Sequence, residues 1–225
     1  MAAVSLPIRP LIHFDERYLL AKRALDIVLV LLLLIPLALV MAVVAVAILL
    51  DSRGPVFYRQ KRVGVNGVEF EMLKFRSMRT NCDDTLHRKA VERFMSGKAL
   101  NANARNGDRF KVADDPRITR VGKFIRKTSI DELPQFLNVL AGQMSLVGPR
   151  PPLPYEVARY RQRDWLRLTG KPGVTGPWQV YGRSRVTFKQ MVEMDIRYLK
   201  RQSLREDIKL IVLTVPVMLR GSGGA

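Results

Sequence analysis

The longest pattern along the chain has no polar interruption: Ile27 to Leu50 is 24 residues without a charge, about 36 Å if helical and enough to cross a hydrocarbon core. Pro36 falls inside it. Two alternating stretches follow, Val56 to Val63 and Val68 to Phe75, on either side of Asn66-Gly67. That spacing predicts a β-hairpin. Helical spacing predicts a short helix over Asp83 to Met95 and another over Thr187 to Lys200, with Met191, Met194, Ile196 and Leu199 as its core stripe. Trp165, Leu166 and Leu168, set among Arg161, Arg163 and Arg167, predict a basic amphipathic helix from about 154 to 169. Such a helix lies on a membrane surface or packs on the core. Ser203-x-x-Glu206 is a capping box that opens a helix to Leu219. Residues 97–114, and Gly170 to Arg183 with four Gly and two Pro, read as loops. The fold class expected is α+β, predominantly helical, with one catalytic domain.

Charge narrows the partners. The chain of 225 residues carries a formal net charge of +18, which calls for nucleic acid, anionic lipid or a phosphorylated substrate. One cysteine, Cys82, cannot form an internal disulfide. His13 and His87 are too far apart in sequence for zinc-ligand spacing. Cations flank the apolar run on both sides: Arg17, Lys22 and Arg23 before it, Arg53, Arg59, Lys61 and Arg62 after it. The residues alone therefore leave two topologies open, a spanning helix and a helix–break–helix that enters and leaves by one face. Arg59, Lys61, Arg62, Lys74 and Arg76 of the hairpin line an anionic site or form a solvated strand face.

The candidate chemistry lies between Thr119 and Pro151. Asp131 and Glu132 follow a basic cluster of Arg117, Arg120, Lys123, Arg126 and Lys127, and Arg150 stands between Pro149 and Pro151. Acids among cations stay ionised and can hold a divalent metal or act as a nucleophile. They are also ordinary residues for the start of a helix. Ser129-x-x-Glu132 spells a capping box, but a Ser129 cap puts Pro134 at the fifth helical position, where it breaks a hydrogen bond. A cap at Asp131 puts Pro134 third, where none is lost. The second start is expected, with Gly142 as the stop.

That segment resembles the signature of the bacterial sugar transferases, the monotopic phosphoglycosyl transferases that move a hexose 1-phosphate to a polyprenyl phosphate. Four further blocks match in order: Lys22-Arg23-x-x-Asp26, Pro55 to Gly64, Leu73-Lys-Phe-Arg-Ser-Met78, and Pro172 to Arg183. The likeness covers roughly residues 20–220. Gln143 stands where the family usually has an acid and Pro177 where it usually has a larger apolar residue.

The resemblance implies a UDP-sugar donor, a polyprenyl phosphate acceptor and Mg²⁺, with Asp131 as nucleophile and metal contact and Glu132 as second member of the acidic pair. Arg126, five residues before Asp131, is the candidate for the acceptor phosphate, or else a helix-surface cation or lipid-headgroup contact. Arg150, held between prolines, is the candidate for the nucleotide phosphates, because a guanidinium forks onto phosphate oxygens. Asp195, Gln179 and Arg183 are further candidates for the donor pocket, although Asp195 is equally an ordinary helix-surface acid. Lys22, Arg23 and Asp26 are expected to anchor the membrane element at lipid headgroups. The implied topology is re-entrant at the bacterial inner membrane: residues 1–18 a lead, 19–51 embedded in lipid, 52–220 a catalytic region facing the cytoplasm, 221–225 a tail. Nucleic acid is not an expected partner, and a homo-oligomer is left open. The competing reading is a non-catalytic scaffold that binds anionic lipid by charge. It has no need of Asp131-Glu132 or of Gly173-Val-Thr-Gly176.

Overall fold

The computed structural model describes residues 12, 14–80, 85–97, 115–182 and 186–219. The expected loop beyond Gly97, the first part of the lead, the tail and Arg183 lie outside them. The apolar run sits in one helix, α1 (Glu16–Asp51), capped by the Asp15 side chain on the Arg17 amide at 2.9 Å. Among the described residues, α1 is the helix long and apolar enough to cross a membrane. Helical backbone continues through Pro36, so the chain does not unwind at the expected break and a bend there is a kink within one helix. A proline there removes one hydrogen bond of the ladder, which a long helix can tolerate.

Burial is confined to the two ends of α1. Lys22, Asp26 and Val30 are buried at one end, Val44 and Ile48 at the other, and Leu32, Ile35 and Leu39 between them are exposed. The first end is held by polar side chains. Lys22 Nζ pairs with Asp207 at 2.8 Å, Arg23 donates to the Leu140 carbonyl at 2.7 Å, and Asp26 accepts from the Leu146 amide at 3.0 Å. These three were expected at lipid headgroups. They bind protein instead: Arg23 and Asp26 meet helix-end and strand groups that need partners, and Lys22 meets the buried Asp207 carboxylate.

The hairpin forms as expected. β1 (Phe57–Val63) pairs antiparallel with β2 (Glu69–Phe75), from Phe57↔Phe75 to Val63↔Glu69. Asn66 (φ 56°) and Gly67 (φ 80°) both take the left-handed conformation that such a turn requires. After it come α2 (Thr85–Met95), α3 (Arg120–Lys127), a 3₁₀ turn (Ile130–Glu132) and α4 (Gln135–Leu140).

A second, parallel pair joins β3 (Ser145–Val147) to β4 (Gly173–Thr175). It corrects the reading of Gly170 to Arg183 as loop, as does a π-helical turn over Trp178–Gly182. Gly148 and Gly173 allow the close backbone approach, since a Cβ on either would strike the other strand. The amphipathic helix expected over 154–169 is also corrected. The segment holds α5 (Pro154–Val157) and a separate 3₁₀ turn, Asp164–Thr169. Its apolar residues face protein, with Val157 and Leu168 packed on Val63. The chain turns back between them and carries Arg167 into the interior, 2% exposed.

Two helices close the body. α6 (Phe188–Arg201) starts at a Thr187–Gln190 capping box and buries Met191, Ile196 and Leu199 of the predicted stripe, with Met194 half-buried. α7 (Leu204–Leu219) begins where the Glu206 amide donates to Ser203 Oγ at 3.3 Å, and leaves Ile208, Val212 and Val215 exposed.

Candidate active site

Asp131 sits in the 3₁₀ turn rather than at a helix cap. Ser129 takes a left-handed conformation (φ 58°), the turn follows, and α4 starts only at Gln135 after Pro134. The expected cap at Asp131 is thus three residues early: the cap is Pro134, and Ile130–Glu132 form a separate 3₁₀ turn ahead of it. Gly142 (φ 78°) does follow the end of α4. The turn points Asp131 inward, to 4% exposure, and its Oδ1 has no hydrogen-bond partner among the described residues.

The two acids have different surroundings. Lys74 Nζ, from β2, lies 2.7 Å from Glu132 Oε1. Burial acts to raise the Glu132 carboxyl, but Lys74, with Arg150 and Arg62, outweighs it and holds Glu132 below its usual range. Burial dominates at Asp131 and pushes its carboxyl up to about 6, against the pull of Lys74 and Arg126 and with the help of the Glu132 charge. Neighbouring carboxyls pushed apart in this way can take different chemical roles.

A cleft of about 1250 Å³ opens over the pair, and Lys74, Arg126, Arg150 and Gln179 line it. Arg126, in the last turn of α3, acts on Asp131, whereas Arg150 acts on Glu132. Both arginines line the same cleft as the pair. The cleft is continuous with an apolar part that includes Leu32 and Leu33 of α1 and Val215 and Met218 of α7.

Arg150 is set by contacts on its backbone. Its carbonyl accepts from Arg167 Nη2 at 3.3 Å, and the next carbonyl, Pro151, accepts from Arg62 Nη1 at 2.7 Å. Its guanidinium lies 5.8 Å from the Trp178 ring centre and 4.0 Å from Glu156. Asp195 is no surface acid. It is fully buried, pairs with Arg167 at 2.7 Å and is absent from the cleft lining. Its carboxyl is raised to about 6 by burial, against the pull of Arg167. It holds Arg167, which donates to the Arg150 carbonyl, and its own Oδ1 has no hydrogen-bond partner among the described residues.

Lys74 and Arg62 belong to the site although sequence reasoning left them undecided between an anionic site and a strand face. The available signal was that both fall inside matching blocks, Leu73 to Met78 and Pro55 to Gly64. Among the described residues no cluster of three His, Cys, Asp or Glu side chains could hold a metal alone. Mg²⁺ often takes one or two carboxylates and completes its shell with substrate phosphate and water. One buried Asp131 oxygen free of hydrogen bonds fits that need.

The family described as bacterial sugar transferase matches residues 17–221. The chain is 45% identical over 207 residues to the galactosyl transferase CpsE of Streptococcus agalactiae serotype III, covering 92% of this chain and 44% of that protein. It is 45% identical over 170 residues to the undecaprenyl-phosphate galactose phosphotransferase of Salmonella typhimurium, covering 76% of this chain and 34% of that one. It is 37% identical over 204 residues to the exopolysaccharide production protein ExoY of Sinorhizobium fredii, covering 91% and 88%. The chain thus spans less than half of the first two relatives and most of the third.

Proposed function

The chain belongs to the bacterial sugar transferase family, and from that premise we propose that it moves a sugar 1-phosphate from a UDP-sugar to a polyprenyl phosphate, releases UMP and so starts the assembly of a lipid-linked glycan. Undecaprenyl phosphate, which appears in the name of the Salmonella typhimurium relative, is the acceptor proposed. The observation that carries the reading is the buried, unbonded Asp131 oxygen facing a cleft lined by cations, beside a Glu132 already neutralised by Lys74.

The proposed steps use those residues. Asp131 attacks the β-phosphorus of the donor through a carboxylate oxygen, forming an acyl–phosphate bond. The bond to the leaving phosphate breaks, and UMP departs with its electron pair. A phosphate oxygen of the acceptor then attacks the same phosphorus and returns the electrons to Asp131. Splitting the transfer lets two anionic substrates react at one phosphorus in turn. Arg150 forks onto the nucleotide phosphates and Arg126 holds the acceptor phosphate. Glu132 stays ionised and keeps Lys74 in place. A bound Mg²⁺, held by Asp131 and diphosphate oxygens, would offset charge on the phosphates.

The topology proposed is re-entrant. One globular body holds both ends of α1, Asp26 at Leu146 and Asp51 at Val121. If straight, 25 helical steps would separate those ends by about 37 Å, more than the hydrocarbon core. A spanning helix would then force the body itself to reach across the bilayer. A bend at Pro36 that returns the helix to the cytoplasmic face avoids this.

UMP release, measured with a panel of UDP-sugars with and without polyprenyl phosphate, tests the function. At least one donor should give UMP and a lipid-linked sugar diphosphate. Binding of anionic lipid without release from any donor would overturn the assignment.

A further inference from the structure

Three structural features meet at the last turn of α1. Asp51 reaches the start of α3, where its Oδ2 accepts from the Val121 amide at 2.9 Å. The first amides of a helix have no acceptor within it. Thr119 provides for the next one, taking the Gly122 amide at 2.9 Å. At the other side, Arg76, which directly follows β2, covers the carbonyl end of α1. Its Nη2 donates to the Ser52 carbonyl at 2.5 Å and to Ser52 Oγ at 3.0 Å, and the side chain is 5% exposed. Gly54 (φ 127°) passes so close to this guanidinium that a Cβ there would strike Nη1. Between the two polar contacts, Ile48 (2% exposed) shares a core cluster with Phe75, Ile125 and Leu133.

Those three core residues are sequence neighbours of the site. Phe75 follows Lys74, Ile125 precedes Arg126, and Leu133 follows Glu132. The cation at Glu132, the cation near Asp131 and the acidic pair therefore rest on one packing point, the end of the membrane helix. Asp51 holds the start of α3 to this point, and Arg76 separately holds the end of β2 to Ser52.

We propose that Asp51 is a positioning residue, which ties the end of α1 to the first turn of α3 and so sets where Arg126 stands relative to Asp131. Asp51 does not line the cleft. The seating of α1 in the membrane is thereby coupled to the acceptor side of the site. This inference rests on the transferase reading for its kinetic consequence and on geometry alone for its structural one.

The test compares Asp51→Ala with Asp51→Asn in nanodiscs, since asparagine keeps a hydrogen-bond acceptor and loses the charge. Hydrogen exchange over residues 120–127 should rise about fivefold in the alanine variant, the usual scale for a lost helix cap, and return to the wild-type level with asparagine. The apparent KM for polyprenyl phosphate should rise in the alanine variant and recover with asparagine, while UMP release without acceptor stays near wild type. Unchanged exchange in Asp51→Ala would overturn the inference. So would an asparagine variant as impaired as the alanine one. A wild-type protein inactive with every donor would defeat the transferase reading, and the exchange comparison would still decide the role of Asp51.

Discussion

Lys74 Nζ stands 2.7 Å from Glu132 Oε1, and no such partner among the described residues meets Asp131 Oδ1 next to it. A strand residue thus separates two adjacent acids into one that is neutralised and one that is available. The two carboxyls differ because of what the hairpin brings to them.

Asp131→Asn should abolish transfer, by roughly three to four orders of magnitude in kcat, on the scale of losing a group that acts in the bond-making step. It should also stabilise the protein at neutral pH. The Asp131 carboxyl lies at about 6 in the folded chain against an ordinary 3.8. Its contribution to stability is therefore complete below that ordinary value and is lost as pH rises through about 6. At pH 8 the asparagine variant should be more stable by about 2–3 kcal/mol, and the difference should close below about pH 4. Urea denaturation in detergent at the two pH values, alongside turnover, checks both parts. Wild-type turnover in the variant would end the nucleophile assignment.

Single-turnover UMP release should follow the ionised form of Asp131, rising with pH through about 6 and levelling above it. Lys74 pulls that carboxyl down, so Lys74→Met should move the rise to higher pH. A profile that shifts the other way, or stays in place, would separate Lys74 from Asp131.

Arg126→Ala and Arg150→Ala should fail differently, because the charge of Arg126 acts on Asp131 and that of Arg150 on Glu132. The first should raise the KM for polyprenyl phosphate or slow the second half-reaction. The second should slow UMP release in a single turnover. Each loss of a charge-assisted phosphate contact should cost about 1.5–3 kcal/mol, roughly one to two orders of magnitude in kcat/KM. Quench-flow on each half-reaction distinguishes them, and identical defects would mean a shared phosphate site.

Asp195 should act through Arg167. Asp195→Leu alone leaves a buried guanidinium without its carboxylate and should destabilise the fold by about 3–5 kcal/mol. Pairing it with Arg167→Met should restore much of that stability but still impair donor use, since the Arg150 carbonyl loses its donor. Thermal denaturation and the KM for UDP-sugar measure the two effects.

The topology can be read by labelling. In a Cys82-free variant, Glu16→Cys and Arg53→Cys should both react from the cytoplasmic face of membrane vesicles. Labelling from opposite faces would establish a spanning helix. Pro36→Leu should favour spanning, because it restores an unbroken apolar ladder.

Much of this was legible in local pattern. The apolar run of α1, the Asn66-Gly67 hairpin, the helical stripe of α6 and the glycine after α4 each depend on residues within a few positions of one another. Propensity and periodicity act at that range. The acidic pair and its flanking arginines were visible as blocks that match the family, and they do line one cleft.

Tertiary structure decided the rest, because it depends on partners far along the chain. Lys22 finds Asp207 185 positions away and leaves the headgroups for the interior. Arg167 finds Asp195, and the helix expected over 154–169 gives way to two short turns so that the guanidinium can reach it. A parallel pair of three-residue strands is too short to show a period, and it forms because glycines let two distant backbones meet. Residue identities alone state which positions carry charge and which segments are apolar. Only the packed chain decided which charges neutralise one another and which carboxylate is left to react, since burial and distance set that balance.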